Sequence, residues 1–367
     1  MTKVSELVSW FDEIAPRSLA ADWDNTGLLT GDFTAVVNKV MVCLTLTKEV
    51  ADEAITQKVQ MVITHHPLPF KPIKTLNTGS SEGAILWRLA TKGIGVYSLH
   101  TRWDDAQGGI NESLLEMIGA KNLGPITPSH SNEEIKLVTF VPNESLEKVS
   151  EALFEAGAGR IGNYKECSFT LEGTGTFFGM DQSNPVVGKK GRREKVLEQR
   201  LEVICPSSRL QPIVSALKKS HPYEEPAFDL VMLKSKPSNN GTGRLGLLAQ
   251  PTSIAQLADI FAKALDIKQI SFAGNAERLV SKIAVVCGSG ASLMTQAFMQ
   301  GAECFITGEA RFHDLLSVKD QNKSILLLGH YKSERFGVES IAAKLRVKFS
   351  AVEVLNSESE HDPLKTF

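Results

Sequence analysis

Three short apolar runs in this chain each stop at a histidine, and that constrains what the chain can fold into. Met61-Val62-Ile63-Thr64 leads to His65, His66 and Pro67. The run from Ile94 to Leu99 leads to His100, and Ile325 to Leu328 leads through Gly329 to His330. A short continuous apolar run bounded by a turn signal reads as a strand buried on both faces. In open α/β sheets, ligands bind outside the carboxyl ends of such strands. Asp104 lies four residues after His100, and Glu334 lies four after His330. His65-His66 taken alone could be a turn that happens to contain histidine. Three of the eight histidines end apolar strands and a fourth is adjacent to one of them, with a carboxylate in each of the last two clusters. That pattern is what a metal site assembled from distant segments looks like.

The 367 residues favour two domains over one, and an apolar fraction of 42% is enough for real cores. A net charge of −2 gives no electrostatic argument for nucleic acid or a membrane surface as partner. Cys43, Cys167, Cys205, Cys287 and Cys304 show no Cys-x-x-Cys spacing. They read as small buried hydrophobes in a reducing compartment. Val4, Leu7, Val8, Phe11 and Ile14 fall at helical spacing among acidic residues, which makes the first segment an amphipathic helix and not a signal peptide. No apolar run approaches the length needed to span a membrane. A cytoplasmic protein is expected.

Alternating strands and helices mark both ends of the chain. The first part reads strand 39–44, helix 48–57, strand to His65, helix 83–91, strand to Leu99 and helix 109–118. The last part reads helix 254–265, strand 282–287, helix to 299, strand 304–307, helix near 312, strand to 328, helix 333–345 and strand 351–355. Such alternation argues a largely parallel sheet in each. Ser333 is expected to cap the last helix, with Glu334 one residue inside it.

The middle differs. Polar linkers are expected at 127–134 and 237–243, and between them lies strand 136–141, helix 144–156, strand 167–178, strand 197–205, helix 210–220 and strand 226–233. That β-α-β-β-α-β order is the ferredoxin-like plan. The basic run Lys189 to Lys195 falls in its central hairpin, where a solvated loop explains it better than a nucleic-acid patch. The fold class expected is therefore α/β: a two-lobed, parallel-rich α/β domain (residues 1–127 plus 243–367) interrupted by an inserted ferredoxin-like (βαββαβ) α+β domain (residues 128–242).

Several stretches together resemble the Nif-three-like family, whose members are often labelled GTP cyclohydrolase 1 type 2 homologues. They are Trp23-Asp-Asn-Thr-Gly-Leu28, Thr64-His-His-Pro-Leu-Pro-Phe-Lys-Pro72, His100-Thr-Arg-Trp-Asp104 with Gly108, Gly109 and Asn111, and Gly329-His-Tyr-Lys-Ser-Glu334. His221-Pro-Tyr-Glu-Glu-Pro-Ala-Phe228 resembles a signature of the insert in longer members, akin to PII-like and CutA-like folds. The resemblance implies a dinuclear metal site with ligands His65, His66, Asp104, His330 and Glu334, facing the interior of a toroidal homohexamer. This chain departs from the family where Thr45, Arg102-Trp103 and Gln107 stand, which puts the pocket wall in question.

Three imidazoles and two carboxylates suit zinc, iron, manganese or nickel better than calcium or magnesium. Five protein ligands are too many for one tetrahedral zinc and suit two divalent ions with positions left open. Hydrolytic attack on an amidine-like ring carbon, a phosphate or an amide is the chemistry such a pair supports. His100 and Glu309 are the candidate catalytic residues; His100 could equally orient a ligand or be structural, and Glu309 and His313 could lie on the surface. Cys287-Gly-Ser-Gly290 could offer free amides to an anion. Three functions remain open: a metal-dependent hydrolase, with GTP cyclohydrolase as the family's label; a metal-binding regulator or chaperone without turnover; and a small-molecule sensor working through the insert.

Overall fold

The computed structural model describes residues 1–129, 134–183, 186–233 and 238–365. The chain divides into two compact units, residues 1–129 with 239 onward, and residues 130–238. Of the linkers expected from the sequence, residues 130–133 and 237 lie outside the described residues. Thr127–Pro128 and Gly241–Thr242 are not open linker; they pair antiparallel, so the first unit closes its own chain on either side of the second.

The first unit holds two mixed sheets. One has the order Gly27–Thr30, Gly95–Ser98, Met61–Thr64, Lys39–Cys43, Glu353–Asn356. Its last four strands are parallel and Gly27–Thr30 is antiparallel to its neighbour. The other runs Ser271–Ala273, Ser324–Leu327, Cys304–Thr307, Leu279–Val286, Arg244–Ser253, Lys121–Gly124. Here only Ser324–Leu327, Cys304–Thr307 and Leu279–Val286 run parallel; the outer strands are antiparallel. Each sheet takes an edge strand from the far end of the chain.

All four residues of Met61–Thr64, Gly95–Ser98 and Cys304–Thr307 are buried, as parallel strands covered on both faces require. The alternation of side chains assigns their two faces. Val40, Val42, Ile63 and Tyr97 join Ile283, Ile306 and Leu326 of the second sheet in one core. Met41, Cys43, Val62 and Val96 face the helices Lys48–Thr56 and Ser81–Thr91 instead. Ala284, Phe305 and Ile325 face Met294–Met299 and Phe312–Asp320. The shared core also takes the apolar stripes of the helices Val4–Ile14, Ile110–Met117, Ile254–Ala264 and His330–Lys348.

In the second unit, one antiparallel sheet has the order Phe228–Met232, Glu134–Pro142, Arg193–Pro206, Ser168–Phe178. The helices Leu146–Glu155 and Leu210–Ser220 bury Val149, Leu153, Ile213 and Leu217 against Leu137, Leu201 and Val203. The basic run is only partly loop, because the strand starts at Arg193, and Glu194 there accepts hydrogen bonds from Arg192 Nε and the Lys189 amide. His221-Pro-Tyr223 makes the turn after the second helix: His221 Nε2 lies 3.0 Å from Phe140 O and its Nδ1 accepts from the Tyr223 amide at 3.1 Å. Among the described residues, no helix is long and apolar enough to cross a membrane.

Candidate metal centre

The parallel strands of the first unit deliver their following residues to one place. His65 and His66 leave the strand Met61–Thr64, His100 follows Gly95–Ser98, Cys287 follows Leu279–Val286, and Glu309 follows Cys304–Thr307. His330 and Glu334 sit on the first turns of the helix that follows Ser324–Leu327. Spacing of four puts both on one helix face, one above the other.

That helix begins at His330, with Gly329 at its cap in a left-handed conformation (φ +82°), so Ser333 lies inside it and is no cap. Ser333 Oγ instead donates to His330 O at 2.9 Å and accepts from the Gly288 amide at 3.0 Å. Glu334 is therefore oriented by helix periodicity, not by a position at the very start of the helix.

Glu334 Oε2 is the hub. It lies 3.0 Å from His66 Nε2, 3.2 Å from His330 Nε2 and 3.9 Å from His65 Nε2. Asp104 Oδ1 stands 3.7 Å from His65 Nε2. The groups His65-Asp104-Glu334, His66-His330-Glu334 and His65-His66-His100 each offer ligand atoms within 4.8 Å of one another. The structure thus brings His65, His66, His100, Asp104, His330 and Glu334 together. His313 is elsewhere, exposed beside Phe312.

Each of three imidazoles is held from behind through Nδ1. Thr45 Oγ1 is 2.7 Å from His66 Nδ1, Glu309 Oε1 is 3.1 Å from His330 Nδ1, and Asp24 Oδ1 is 2.7 Å from His100 Nδ1. Oxygen partners at Nδ1 leave Nε2 turned to the centre, the arrangement that outer partners of metal-bound histidines provide. Glu309, half exposed, orients His330. Cys287 Sγ donates to Asp104 Oδ1 at 3.2 Å. Behind Thr45, the Glu360 carboxylate accepts from the amides of Leu44 (2.8 Å) and Thr45 (2.5 Å) and pairs with Arg335 Nε at 3.3 Å.

Burial dominates the electrostatics of the cluster. It lowers the His65 imidazole well below its usual range and, together with the charge of Glu334, raises Asp104 well above the usual carboxylate range. Burial also acts to raise Glu334, but hydrogen bonds with His330 and His66 outweigh it and hold that carboxyl far down. The hydrogen bond to Glu334 lifts His330 to about 9 against burial. Burial and the Asp104 charge raise the Cys287 thiol. Among the described residues, His65 Nε2 is buried without a hydrogen-bond partner. An orphaned buried nitrogen is costly unless something absent from the polypeptide satisfies it. Nitrogen and carboxylate donors around it fit a divalent transition-metal ion.

Two expectations change. The amides of Cys287, Gly288 and Gly290 are used by Asn111 Oδ1, Ser333 Oγ and Thr307 Oγ1, so the loop is not an anion cradle. Arg102 and Trp103 do not form a pocket wall. Arg102 is fully buried, donating to Ala15 O and Tyr97 and pairing with Asp12 at 2.7 Å, and the Trp103 indole donates to Gly337 O at 3.3 Å. The supporting roles of Asp24, Cys287 and Glu360 escaped the sequence reading; only the Trp23-Asp-Asn segment carried any signal.

Relatives share this architecture. A Halalkalibacterium halodurans protein named GTP cyclohydrolase 1 type 2 homolog is 34% identical over 360 residues, covering 97% of each chain. A Bacillus subtilis protein of the same name is 33% identical over 362 residues, 98% of this chain and 97% of the relative. The crystal structure of a Bacillus cereus protein related to NIF3 matches with a TM-score of 0.75 at 34% identity, over 100% of this chain and 99% of that one. A Staphylococcus aureus structure matches with a TM-score of 0.81 at 27% identity over the same shares. The pattern of the family described as Duf34/NIF3 (NGG1p interacting factor 3) runs from residue 2 to residue 363, and this chain belongs to that family.

Proposed function

We propose that the protein is a metal-dependent hydrolase whose centre holds two divalent ions through His65, His66, Asp104, His330 and Glu334. The observation that carries this reading is the orphaned His65 Nε2 inside a ring of nitrogen and carboxylate donors. Five donors exceed the needs of one tetrahedral ion. Such ions supply Lewis-acid activation of water and of a carbonyl or phosphoryl group. The chain's own part is to hold the donors, with Thr45 and Glu309 fixing two imidazoles and burial of His65 and Glu334 keeping bulk water from the inner side. Access is from the side of His66 and His330, whose side chains are 22% and 37% exposed. Trp23 and Phe70, both exposed, add rings near His100 with centroids 5.7 and 6.0 Å away.

The names of the relatives point to ring-opening of GTP as the first reaction to test. Protein purified without chelators should carry transition metal by elemental mass spectrometry. With that metal restored it should hydrolyse GTP or a member of a phosphoester and amide panel. Metal at two ions per chain without any turnover would leave a non-catalytic regulator or chaperone as the better reading. The homohexameric toroid is part of the same proposal, with its mass in solution as the check.

A second reading, small-molecule sensing by residues 130–238, is favoured by a cavity of about 870 Å³ there, lined among others by Phe177, Glu198, Arg200 and Tyr223. The β-α-β-β-α-β order and the strand arrangement support taking this unit as ferredoxin-like. Ligand binding by that unit with the metal ligands mutated would favour the sensor reading.

A further inference from the structure

We propose that His100 is a sixth donor of the metal centre, through Nε2, and that Asp24 is the residue that sets it there. The proposal rests on the metal reading above and extends it to two residues outside the five-donor set.

Four observations converge. First, His100 repeats the pattern of His66 and His330: an outer oxygen occupies Nδ1, here Asp24 Oδ1 at 2.7 Å. A proton shared with that carboxylate leaves the Nε2 lone pair for an ion. Second, the ring stands within the cluster, edge-on to His65 and His66 with centroids 5.3 and 5.6 Å away, and the three imidazoles offer nitrogens within 4.8 Å of each other.

Third, the Asp24 side chain has no exposure, and among the described residues its one ion pair is with His100. Its other oxygen accepts from the amide and hydroxyl of Thr101. A carboxylate this deep needs a cation to answer its charge. An ion reached through the imidazole answers it, so Asp24 and His100 act as one unit. Fourth, His100 has φ +39° and ψ −128°, a backbone region that belongs to glycine. A side chain held in that region persists where its surroundings over-determine it, and such outliers gather at functional sites. Glycine at this position would relieve the backbone and remove the ring.

The experiment uses the full chain, stripped of metal and titrated with Co²⁺. Content is read by elemental mass spectrometry, affinity by chelator competition and geometry by visible absorption. His100→Gly should weaken one of the two ions at least tenfold and change the Co²⁺ spectrum. Asp24→Asn keeps an acceptor for His100 and Thr101 and should fall between wild type and His100→Gly; loss of a metal-bound histidine's outer partner costs roughly 10–100-fold in affinity. Wild-type affinity and an unchanged spectrum in His100→Gly would overturn the proposal while leaving the five-donor centre intact. The same result with Asp24→Asn would decide the matter should the glycine variant not fold. A wild-type chain that binds no Co²⁺ would overturn both this proposal and the reading beneath it.

Discussion

Gly288 is where a single methyl group should damage the centre most. A Cβ built there would stand 2.1 Å from Glu334 Oε1 and 3.5 Å from His330 Nε2, in a left-handed backbone with φ +57°. Real Cβ contacts essentially never fall under 3.0 Å, so in Gly288→Ala the Glu334 carboxylate must withdraw by roughly an ångström or the loop must move. Neither is cheap. Glu334 is 5% exposed and bonded to two imidazoles, and the loop is held by Ser333 and by the Gly308 and Glu309 amides on Gly288 O. The backbone conformation alone costs an alanine about 1–2 kcal/mol. Loosening a hydrogen bond to a charged group adds about 1.5–3 kcal/mol. Gly288→Ala should therefore lose about 2.5–5 kcal/mol in urea unfolding of the metal-free protein, and its metal affinity should fall by at least about tenfold. Wild-type affinity with wild-type stability would refute the reasoning, since it would mean that the loop and Glu334 are not in rigid contact.

Thr45→Val removes the oxygen behind His66 while keeping the side-chain shape. Metal affinity should fall about 10–100-fold with the melting temperature nearly unchanged, and an unchanged chelator-competition curve would count against it. Glu360→Ala strips two backbone amides and Arg335 of their carboxylate, and urea unfolding should show a loss of about 2–3 kcal/mol. The His330 imidazole in the metal-free protein titrates at about 9 against 6.5 unfolded, chiefly through its bond with Glu334. Its stabilisation is thus complete below pH 6.5 and lost as pH rises to 9, partly screened because the ring is over a third exposed. The urea midpoint should drop across that window in wild type; an equal drop in His330→Gln would assign it to another group.

The sequence made the strand–histidine junctions visible because parallel strands buried on both faces leave unbroken apolar runs. Met61–Thr64 and Cys304–Thr307 are of this kind. Edge strands leave no such trace: Lys121–Gly124 and Ser271–Ala273 are short and mostly exposed. The interior strand Arg244–Ser253 is obscured for another reason, since it carries Gly246 and Pro251 inside it. Ser333 looks like a cap in the sequence, yet the last helix starts three residues earlier, because Gly329 makes the turn and the serine ties the helix to Gly288. Asp24, Cys287 and Glu360 act on partners 76, 183 and more than 300 residues away, and no local spacing can report such a contact.

The strand Glu353–Asn356 completes the first sheet beside Lys39–Cys43, and this fixes an order of events in time. A ribosome that has just made His66 must add about 290 more residues before that strand exists, which at roughly 5–20 residues per second takes about 15–60 s. For that interval the edge of Lys39–Cys43 stands open to any extended chain nearby. His65 and His66 meanwhile lack the Glu334 carboxylate that organises them. On the metal reading proposed above, ion capture waits until the polypeptide has closed on itself, and a nascent chain stalled before residue 330 offers the cell an unpaired strand edge and two histidines without their Glu334 partner.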